Sequence, residues 1–309
     1  MTIATAFVDA CVEELQAPKP GNVHVYAEGH RMTVADFVRS AEVSAPLLCR
    51  VGAPLGRRIL DAAAATREAV GQNTNLGILL LCGPLAMAAY QPPSWPGLSG
   101  PPVAAGACGG GPDLPGHDGW QRLAVAEVLR AVIAASTLDD AEAVFAAIRI
   151  ANPAGLGSAG RHDVRLRATV ALPRAMAEAA DRDSIARQWT NGFADVLGIG
   201  LETYETARAR WTNPSDAALA AYLTFLAAFP DSHVVRKHGA SAAAAVQRRA
   251  VRVRAEFERC TEPSDMMPEL LAWDAALKAE GINPGTSADL TVATAFAWRV
   301  GLRSSTLDV

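Results

Sequence analysis

The sequence predicts an all-α protein, and two observations support that fold class. Alanine dominates the composition together with Leu, Arg and Glu, and all four are strong helix formers. Apolar residues recur at helical spacing in one segment after another, whereas β-branched runs with a period of two are nearly absent. A chain of 309 residues can bury a sizeable core. We therefore expect a single globular multi-helix domain over residues 1–309.

The first four helices follow from start and stop signals. Residues 2–16 form a first helix that Pro18 and Pro20 terminate. The second, 33–49, carries apolar residues at helical spacing after a capping threonine, and the third, 56–70, is rich in alanine. Residues 76–90 are apolar on nearly every side. This last pattern predicts a buried central helix surrounded by the others.

Residues 91–118 interrupt the helical pattern with a long segment rich in Pro and Gly. No strand precedes it and no Gly-Lys-Ser/Thr follows, so it is not a phosphate-binding loop. We expect either a disordered insertion or a mobile lid over a site, and we interpret His117 near its end as incidental. Helical patterns resume at 120–135, 138–150, 170–180, 184–197, 201–211, 216–229, 240–260, 263–280 and 288–300.

Charge, cysteine usage and hydropathy exclude several classes of function. A net charge of -4 and a pI of about 5.9 argue against a nucleic-acid partner. The five cysteines are scattered without a Cys-x-x-Cys pair, which favours reduced thiols over disulfides or a zinc site. The N-terminus has no basic segment typical of a signal peptide, and the most apolar window is too short to span a bilayer. We therefore expect a soluble cytoplasmic protein with no membrane partner.

Four connectors carry the residues that indicate chemistry. The stretch 18–24, Pro-Lys-Pro-Gly-Asn-Val-His, predicts a rigid turn that presents Lys19 and His24. Segments 71–77, 152–157 and 283–287 combine glycine with Asn, Thr or Ser next to a helix. Each could be a simple cap, but a helix N-terminus with glycines nearby is also an anion site. Three such turns and a fixed lysine favour helix ends that converge on a polyanion.

The last of these segments, 283–290, feeds into the final helix. We expect Thr286 or Ser287 to cap that helix and Asp289 to lie in its first turn, where the helix dipole favours a carboxylate. The alternative interpretation is a structural cap without a ligand, since capping and anion binding use the same free N–H groups.

The densest polar cluster is 231–239. Arg236, Lys237 and His238 can neutralise phosphate charge, and Asp231 can contribute a carboxylate to Mg²⁺ beside His233. The alternative is that this segment is only the solvent-exposed, basic start of a helix.

The segment 181–188 is more ambiguous, because an ordinary ion pair within one helix explains its arginines. Sequence signatures of serine hydrolases, zinc peptidases and dinucleotide dehydrogenases do not occur. The residues alone thus indicate an all-α enzyme that binds a phosphorylated, nucleotide-type substrate with Mg²⁺.

Five motifs in order resemble those of the triphosphoribosyl-dephospho-CoA synthase family. They read PKPGNVH, NTNLG, NPAGLG, PDSHVVRKHG and NPGTSADL, and the resemblance runs from about residue 13 to 299, with 91–118 outside it. It implies an all-α fold and transfer of a triphosphoribosyl group from ATP to 3′-dephospho-CoA, with release of adenine. ATP is then a substrate, and the partners are small-molecule nucleotides.

The resemblance and the chemistry together assign hypothetical roles to individual residues. A developing oxocarbenium ion favours a nearby carboxylate, proton transfer needs an acid and a base, and the triphosphate needs Mg²⁺ and fixed cations. We assign phosphate binding to Lys19, Arg236 and Lys237, and Mg²⁺ binding or oxocarbenium stabilisation to Asp231 and Asp289, with Asp163 as a further metal candidate. Proton transfer is assigned to His233, His238 or His24. The residues that would line the nucleotide pocket are Asn73, Thr74, Asn75, Thr286 and Ser287.

One departure from the family pattern leaves the acceptor substrate open. Where the citrate lyase branch typically reads Asn-Thr-His-Lys-Gly, this chain has Asn75 and Leu76 in place of His and Lys. The sequence is more similar to a divergent branch from archaea and bacteria with methanopterin-type C1 metabolism. The alternatives are a related Mg²⁺-dependent enzyme of methanopterin- or methanofuran-type cofactor biosynthesis, and a non-catalytic nucleotide-binding helical protein. A homodimer is compatible with each of these functions.

Overall fold

The computed structural model describes residues 1–90, 117–153 and 156–302, with the side chains of 117–124 left out. Over these ranges the chain forms fourteen α-helices and no β-strand, which confirms the predicted all-α fold. Their bounds are α1 Ile3–Gln16, α2 Val34–Leu48, α3 Leu55–Val70, α4 Leu76–Ala89, α5 His117–Ala134, α6 Leu138–Ala151, α7 Leu172–Ala177, α8 Ser184–Asn191, α9 Leu201–Arg210, α10 Pro214–Ala228, α11 Ser232–His238, α12 Ala240–Phe257, α13 Met267–Ala279 and α14 Gly285–Arg299. The proposed insertion or lid lies outside the described residues except for its last two positions.

The helix expected over 184–197 is wrong in its length. Helix α8 ends at Asn191, where Gly192 takes the left-handed conformation of a helix C-cap. A short π-helical segment, Val196–Gly200, then leads into α9. Residues 231–238, expected in a connector, contain the separate short helix α11. Asp231 caps it, accepting hydrogen bonds from the backbone nitrogens of His233 and Val234, and so explains why a helix begins there.

Three helices are buried over most of their surface and form the centre of the fold. Helix α4 was expected there, and its Leu79, Leu81 and Leu85 are fully buried. Helices α10 and α14 share this position, and α14 contacts α1, α4 and α10. Phe7 of α1 meets Phe296 of α14 edge to face, with ring centroids 5.7 Å apart. Each fully buried leucine stabilises the fold by about 1.5–3 kcal/mol.

Hydrophobic helices raise the question of membrane insertion. Among the described residues, no single helix is both long and apolar enough to cross a membrane. Helices α10 and α11 pass that test only as a pair, and they are bent by 54° relative to each other.

The start of α14 differs from the sequence expectation. The helix begins at Gly285 after Pro284, so Thr286 and Ser287 lie inside its first turn and neither caps it. Asp289 consequently lies one turn deeper than expected. The acceptor for this helix end comes from another helix, because Asp231 accepts a hydrogen bond from the backbone nitrogen of Ser287 at 2.8 Å.

The turns before α2 and α14 pack directly against each other. The side-chain amide of Asn22 donates to the Asn283 side-chain oxygen at 2.8 Å. Gly21 has φ +82°, and a Cβ there would lie 2.8 Å from Cδ of Pro284. Only glycine therefore fits this position, on both conformational and steric grounds. Two motifs that are more than 250 residues apart in sequence thus form one structural unit.

Candidate functional site

A cavity of about 950 Å³ lies where the N-termini of several helices meet. Its walls include the first residues of α4, α8 and α14, together with α11 and the α6–α7 connection. That volume is near the upper end of the range for small-molecule sites. Free N–H groups and the positive ends of helix dipoles favour anions at such a place. Helix ends therefore do converge on one cavity, as the sequence predicts, but the helices involved differ in part from those predicted.

The Asn-Thr-Asn segment before α4 lines the cavity and is held from behind by α2. Thr74 shares a hydrogen bond of 2.6 Å with the hydroxyl of Ser40. The Asn75 amide donates to the hydroxyl of Ser44 at 3.3 Å. Asn73 accepts from the backbone nitrogen of Leu76 and so caps α4. These contacts fix the wall that the sequence assigned to the nucleotide pocket.

Positive charge on the cavity wall comes mainly from α11 and its neighbours. Arg236 and Lys237 both line the cavity, as the sequence predicted. The Arg236 guanidinium lies 3.7 Å from the carboxylate of Asp183, whose other oxygen caps α8. Arg182 also lines the cavity and donates to the backbone oxygen of Glu178. The wall therefore combines fixed cations with helix N-termini, a combination suited to a chain of phosphates.

Asp289 belongs to the cavity wall and is packed against α4. A Cβ at Gly77 would lie 2.6 Å from Cγ of Asp289, so the carboxylate occupies the space that only a glycine leaves free. Burial raises the pKa of the Asp289 carboxyl well above its usual value, and the negative charges of Glu14, Asp231 and Asp183 raise it further. Asp289 is thus a carboxyl group in a place that favours an incoming positive charge.

His233 lies in the same wall beside the start of α14. Its backbone nitrogen donates to Asp231 at 2.9 Å, and Gly285 leaves room for the ring, since a Cβ there would lie 2.7 Å from Nδ1. Burial lowers the pKa of His233 to about 4, and the cations Arg236 and Lys237 add to this shift. The imidazole is therefore neutral near pH 7 and can accept a proton.

Asp231 does not line the cavity, which corrects its assignment as a metal ligand or catalytic group. It is 3% exposed, and its two oxygens accept four hydrogen bonds. The donors are the backbone nitrogens of His233, Val234 and Ser287 and the hydroxyl of Ser287, with donor–acceptor distances between 2.8 and 3.1 Å. Each carboxylate oxygen therefore already accepts two hydrogen bonds from the protein. The role of Asp231 is to join the N-terminal ends of α11 and α14.

Lys19 lies inside the protein and not on the cavity wall. Its side chain is fully buried, and the ammonium donates to the backbone oxygens of Glu14 and Val23, both at 2.8 Å. The same nitrogen lies 3.1 Å from the carboxylate of Glu14. Its three donors are therefore occupied, and we remove Lys19 from the phosphate-binding set.

Two further histidines that the sequence predicted for proton transfer lie close to other groups of the protein instead. His24 is fully buried, with its Nε2 3.3 Å from the carboxylate of Asp274, and burial lowers its pKa. Nε2 of His238 lies 3.0 Å from the backbone oxygen of Gly281. Neither residue lines the cavity. Of the three histidines that the sequence offered for proton transfer, only His233 lies at the site.

Asp163 lines the cavity, but its carboxylate has protein partners. It forms a two-pronged ion pair with Arg165 and accepts from the backbone nitrogen of Ala159. The pKa of Asp163 lies well below its usual range, mainly because the Arg165 side chain donates hydrogen bonds to the carboxylate. Its selection as a metal ligand finds no support here. Over the described residues no group of three or more His, Cys, Asp or Glu is arranged to hold a metal ion.

Of the predicted segment 152–157, the described residues 152, 153, 156 and 157 line the cavity, and they follow a helix C-terminus. Asn152 caps α6 in the left-handed conformation, with φ 45°. The anion argument for this segment therefore fails, because the carbonyl end of a helix carries the negative end of the dipole.

Several lining residues carry charge or hydrogen-bonding groups that the sequence did not single out for the site. Glu14 was hidden within the first helix, and Asp183 was interpreted as part of a local ion pair. Such residues are found by tertiary contact and not by local pattern. They include Glu14, His30, Arg67, Arg161, His162 and Asp183.

The structure is thus an all-α protein with a cavity lined by helix N-termini and cationic side chains. The family model CitG, described as ATP:dephospho-CoA triphosphoribosyl transferase, matches residues 1–306. The chain belongs to this family. It is therefore a transferase that uses ATP as a substrate and dephospho-CoA as the acceptor of the triphosphoribosyl group.

A solved structure supports the fold. The chain is similar to a protein from Archaeoglobus fulgidus that carries the provisional description triphosphoribosyl-dephospho-CoA synthase, with a TM-score of 0.55 and 21% identity. The similarity covers 86% of this chain and 98% of that one. No curated protein matches the sequence.

Proposed function

We propose that the 950 Å³ cavity is the site where the triphosphoribosyl group leaves adenine and joins the acceptor. The observation that carries this proposal is the meeting of helix N-termini, the Arg236–Lys237 pair and the carboxyl group of Asp289 on one cavity wall. The triphosphate binds Arg236 and Lys237, and the positive ends of the helix dipoles at the cavity add to that attraction.

Asp289 acts on the ribose in this proposal. The bond between C1′ and adenine breaks with its electron pair going to the base, which takes up the proton of the buried Asp289 carboxyl group, and positive charge develops on the ribose ring. A carboxylate beside C1′ stabilises that charge. Asp289 is suited to this role because burial, together with the negative charges of Glu14 and Asp183, raises its pKa and disfavours its ionisation until a positive charge arrives.

His233 accepts the proton of the attacking hydroxyl group. The acceptor oxygen forms the new bond to C1′, and its proton passes to the neutral imidazole. A base must be unprotonated to do this, and burial of His233, together with the cations beside it, keeps the imidazole neutral near pH 7. The lowered pKa makes His233 a better base candidate than a proton donor to adenine.

Mg²⁺ is part of the proposal as the ion that accompanies the triphosphate. Phosphate-bound Mg²⁺ usually needs only one or two carboxylates from the protein, so the absence of a three-residue cluster over the described residues is compatible with it. Asp289 is the carboxyl group that would contribute, since its burial and its acidic neighbours both disfavour the carboxylate unless a cation is close to it. When bound, the ion neutralises charge on the triphosphate.

The test is Asp289→Asn, measured by release of free adenine from ATP in the presence of dephospho-CoA. We expect kcat to fall at least a hundredfold while ATP still binds within a fewfold of the native affinity, because the amide cannot offset a developing positive charge. Circular dichroism checks the fold. The matched control is Asp216→Asn, a partly buried carboxyl group at the start of α10 that does not line the cavity. Native turnover by Asp289→Asn would remove this residue from the reaction.

A further inference from the structure

The connection between α6 and α7 contributes a histidine to the cavity that the proposed reaction does not use. His162 lines the cavity and has φ 50°, in the left-handed region that non-glycine residues seldom adopt. We propose that the His162 imidazole contacts the adenine base of a bound substrate. This inference rests on the proposal that the cavity binds the two nucleotide substrates.

The segment around His162 is fixed on both sides by side chains. Asp163 accepts from the backbone nitrogens of Ala159 at 3.0 Å and Arg165 at 2.9 Å, and so bridges across His162. Arg149 of α6 donates to the backbone oxygen of Val164 at 2.7 Å. A left-handed backbone at a residue with a Cβ costs about 1–2 kcal/mol. The surrounding bonds hold the residue in this unfavourable conformation, a situation that is common where a side chain meets a ligand.

The His162 ring has one nitrogen with a protein partner and one without. Nδ1 lies 3.3 Å from the hydroxyl of Thr169. Nε2 is shielded from solvent and has no hydrogen-bond partner among the described residues. Buried polar atoms rarely lack a partner, and a nitrogen of this kind in a cavity wall indicates a missing ligand contact. When the Thr169 hydroxyl donates to Nδ1, Nε2 carries the proton and is a donor.

Part of the cavity wall, from α6 and α7, is apolar. Phe145 and Ile148 of α6 and Met176 of α7 are buried residues that line the same cavity. Arg161, the adjacent cation, forms an ion pair with Glu178 at 3.1 Å. Apolar side chains with one placed donor suit a flat heterocycle whose ring nitrogens accept hydrogen bonds, and they do not suit a phosphate chain. The adenine base is the part of either substrate with that chemistry.

Adenine could come from two sources, since ATP and dephospho-CoA each carry one. The experiment separates them by measuring three ligands on the full chain by calorimetry: ATP, dephospho-CoA and inorganic tripolyphosphate. The variant is His162→Gly, because glycine removes the ring and adopts positive φ without strain. A second variant, His162→Asn, also tolerates this backbone. Leu166→Ala, at a residue 68% exposed in the same connection, is the matched control.

We expect His162→Gly to weaken the binding of one adenine-bearing ligand about tenfold or more, while tripolyphosphate binds with native affinity. Loss confined to ATP assigns the leaving base, and loss confined to dephospho-CoA assigns the base of the acceptor. Either result supports the inference. Binding of both nucleotides within twofold of native would overturn it, and an equal loss for all three ligands would overturn it by showing a structural role.

The same ligands separate this inference from the proposed reaction site. Lys237→Ala should weaken tripolyphosphate binding in the otherwise native chain, because that side chain belongs to the phosphate wall. Native tripolyphosphate binding by Lys237→Ala would contradict the phosphate assignment. The response of the two nucleotides to His162→Gly would still decide the role of His162.

Discussion

Asp231 and Ser287 join the N-termini of two helices that build the candidate site. One carboxylate oxygen of Asp231 accepts from both the backbone nitrogen and the hydroxyl of Ser287, each at 2.8 Å. The other oxygen caps α11, the helix to which Asp231 itself belongs as N-cap. This single residue therefore sets the position of His233 and Arg236 on α11 relative to Asp289 on α14. Its function is structural, even though an aspartate followed directly by a serine and a histidine resembles a catalytic group in sequence.

Asp231→Asn should destabilise the protein by about 2–4 kcal/mol, because an amide replaces an acceptor that serves two helix ends. Urea unfolding monitored by circular dichroism measures this change. Thr2→Ala is the comparison, since it removes one exposed cap from α1 and should lose only about 1 kcal/mol. Native stability combined with abolished adenine release would instead favour a direct chemical role for Asp231.

The fold could be predicted from the sequence because its determinants are local. Alanine-rich, helically spaced segments form helices wherever they pack, and the apolar segment at 76–90 did become the buried α4. The errors occur where tertiary contacts decide. Helix α8 stops at Gly192, and α11 starts at a cap that also serves α14. Gly192 and Asp231 are both local cap signals, but neither by itself fixes the tertiary contacts made at that helix end.

The site was predictable in part for the same reason. Residue types and spacing identified segments such as 73–77 and 236–237, which do line the cavity. They could not separate a cation that faces a cavity from one that faces a carboxylate inside the protein, which is the difference between Lys237 and Lys19. Glu14 was missed because it is one of several acidic residues in the first helix, and no local pattern distinguishes it from the others.

Gly77→Ala should reduce kcat at least tenfold, because the new methyl group would meet Asp289 and Cδ1 of Ile185, the latter at 2.8 Å. The carboxyl group must then move away from its place on the cavity wall, and overpacking should also destabilise the protein by about 1–3 kcal/mol. Steady-state kinetics and thermal unfolding measure the two effects. Gly198→Ala is the matched control, since a Cβ there meets nothing within 4 Å. Unchanged kcat in Gly77→Ala would show that the position of Asp289 does not matter.

The lowered pKa of His233 predicts a pH dependence of stability. Its pKa falls from 6.5 to about 4 on folding, so the unfolded chain binds the proton more readily between these values. Stability present above pH 6.5 is therefore lost as the pH falls towards 4, by an amount on the order of 3 kcal/mol. Urea unfolding at several pH values should show a smaller acid-induced loss for His233→Gln than for the native chain. Equal losses in the two proteins would place His233 in a solvated environment.

Lys19→Met should separate a structural role from a phosphate-binding one. Removing the ammonium leaves the carboxylate of Glu14 buried without its 3.1 Å partner, and we expect a loss of about 3–5 kcal/mol in the free energy of unfolding. The double variant Lys19→Met with Glu14→Leu should recover much of that loss, since no unpaired charge remains. Tripolyphosphate should bind the folded Lys19→Met protein with native affinity, because three protein oxygens already occupy the ammonium. Native stability together with weakened tripolyphosphate binding would mean that the lysine reaches the ligand, and it would return Lys19 to the site.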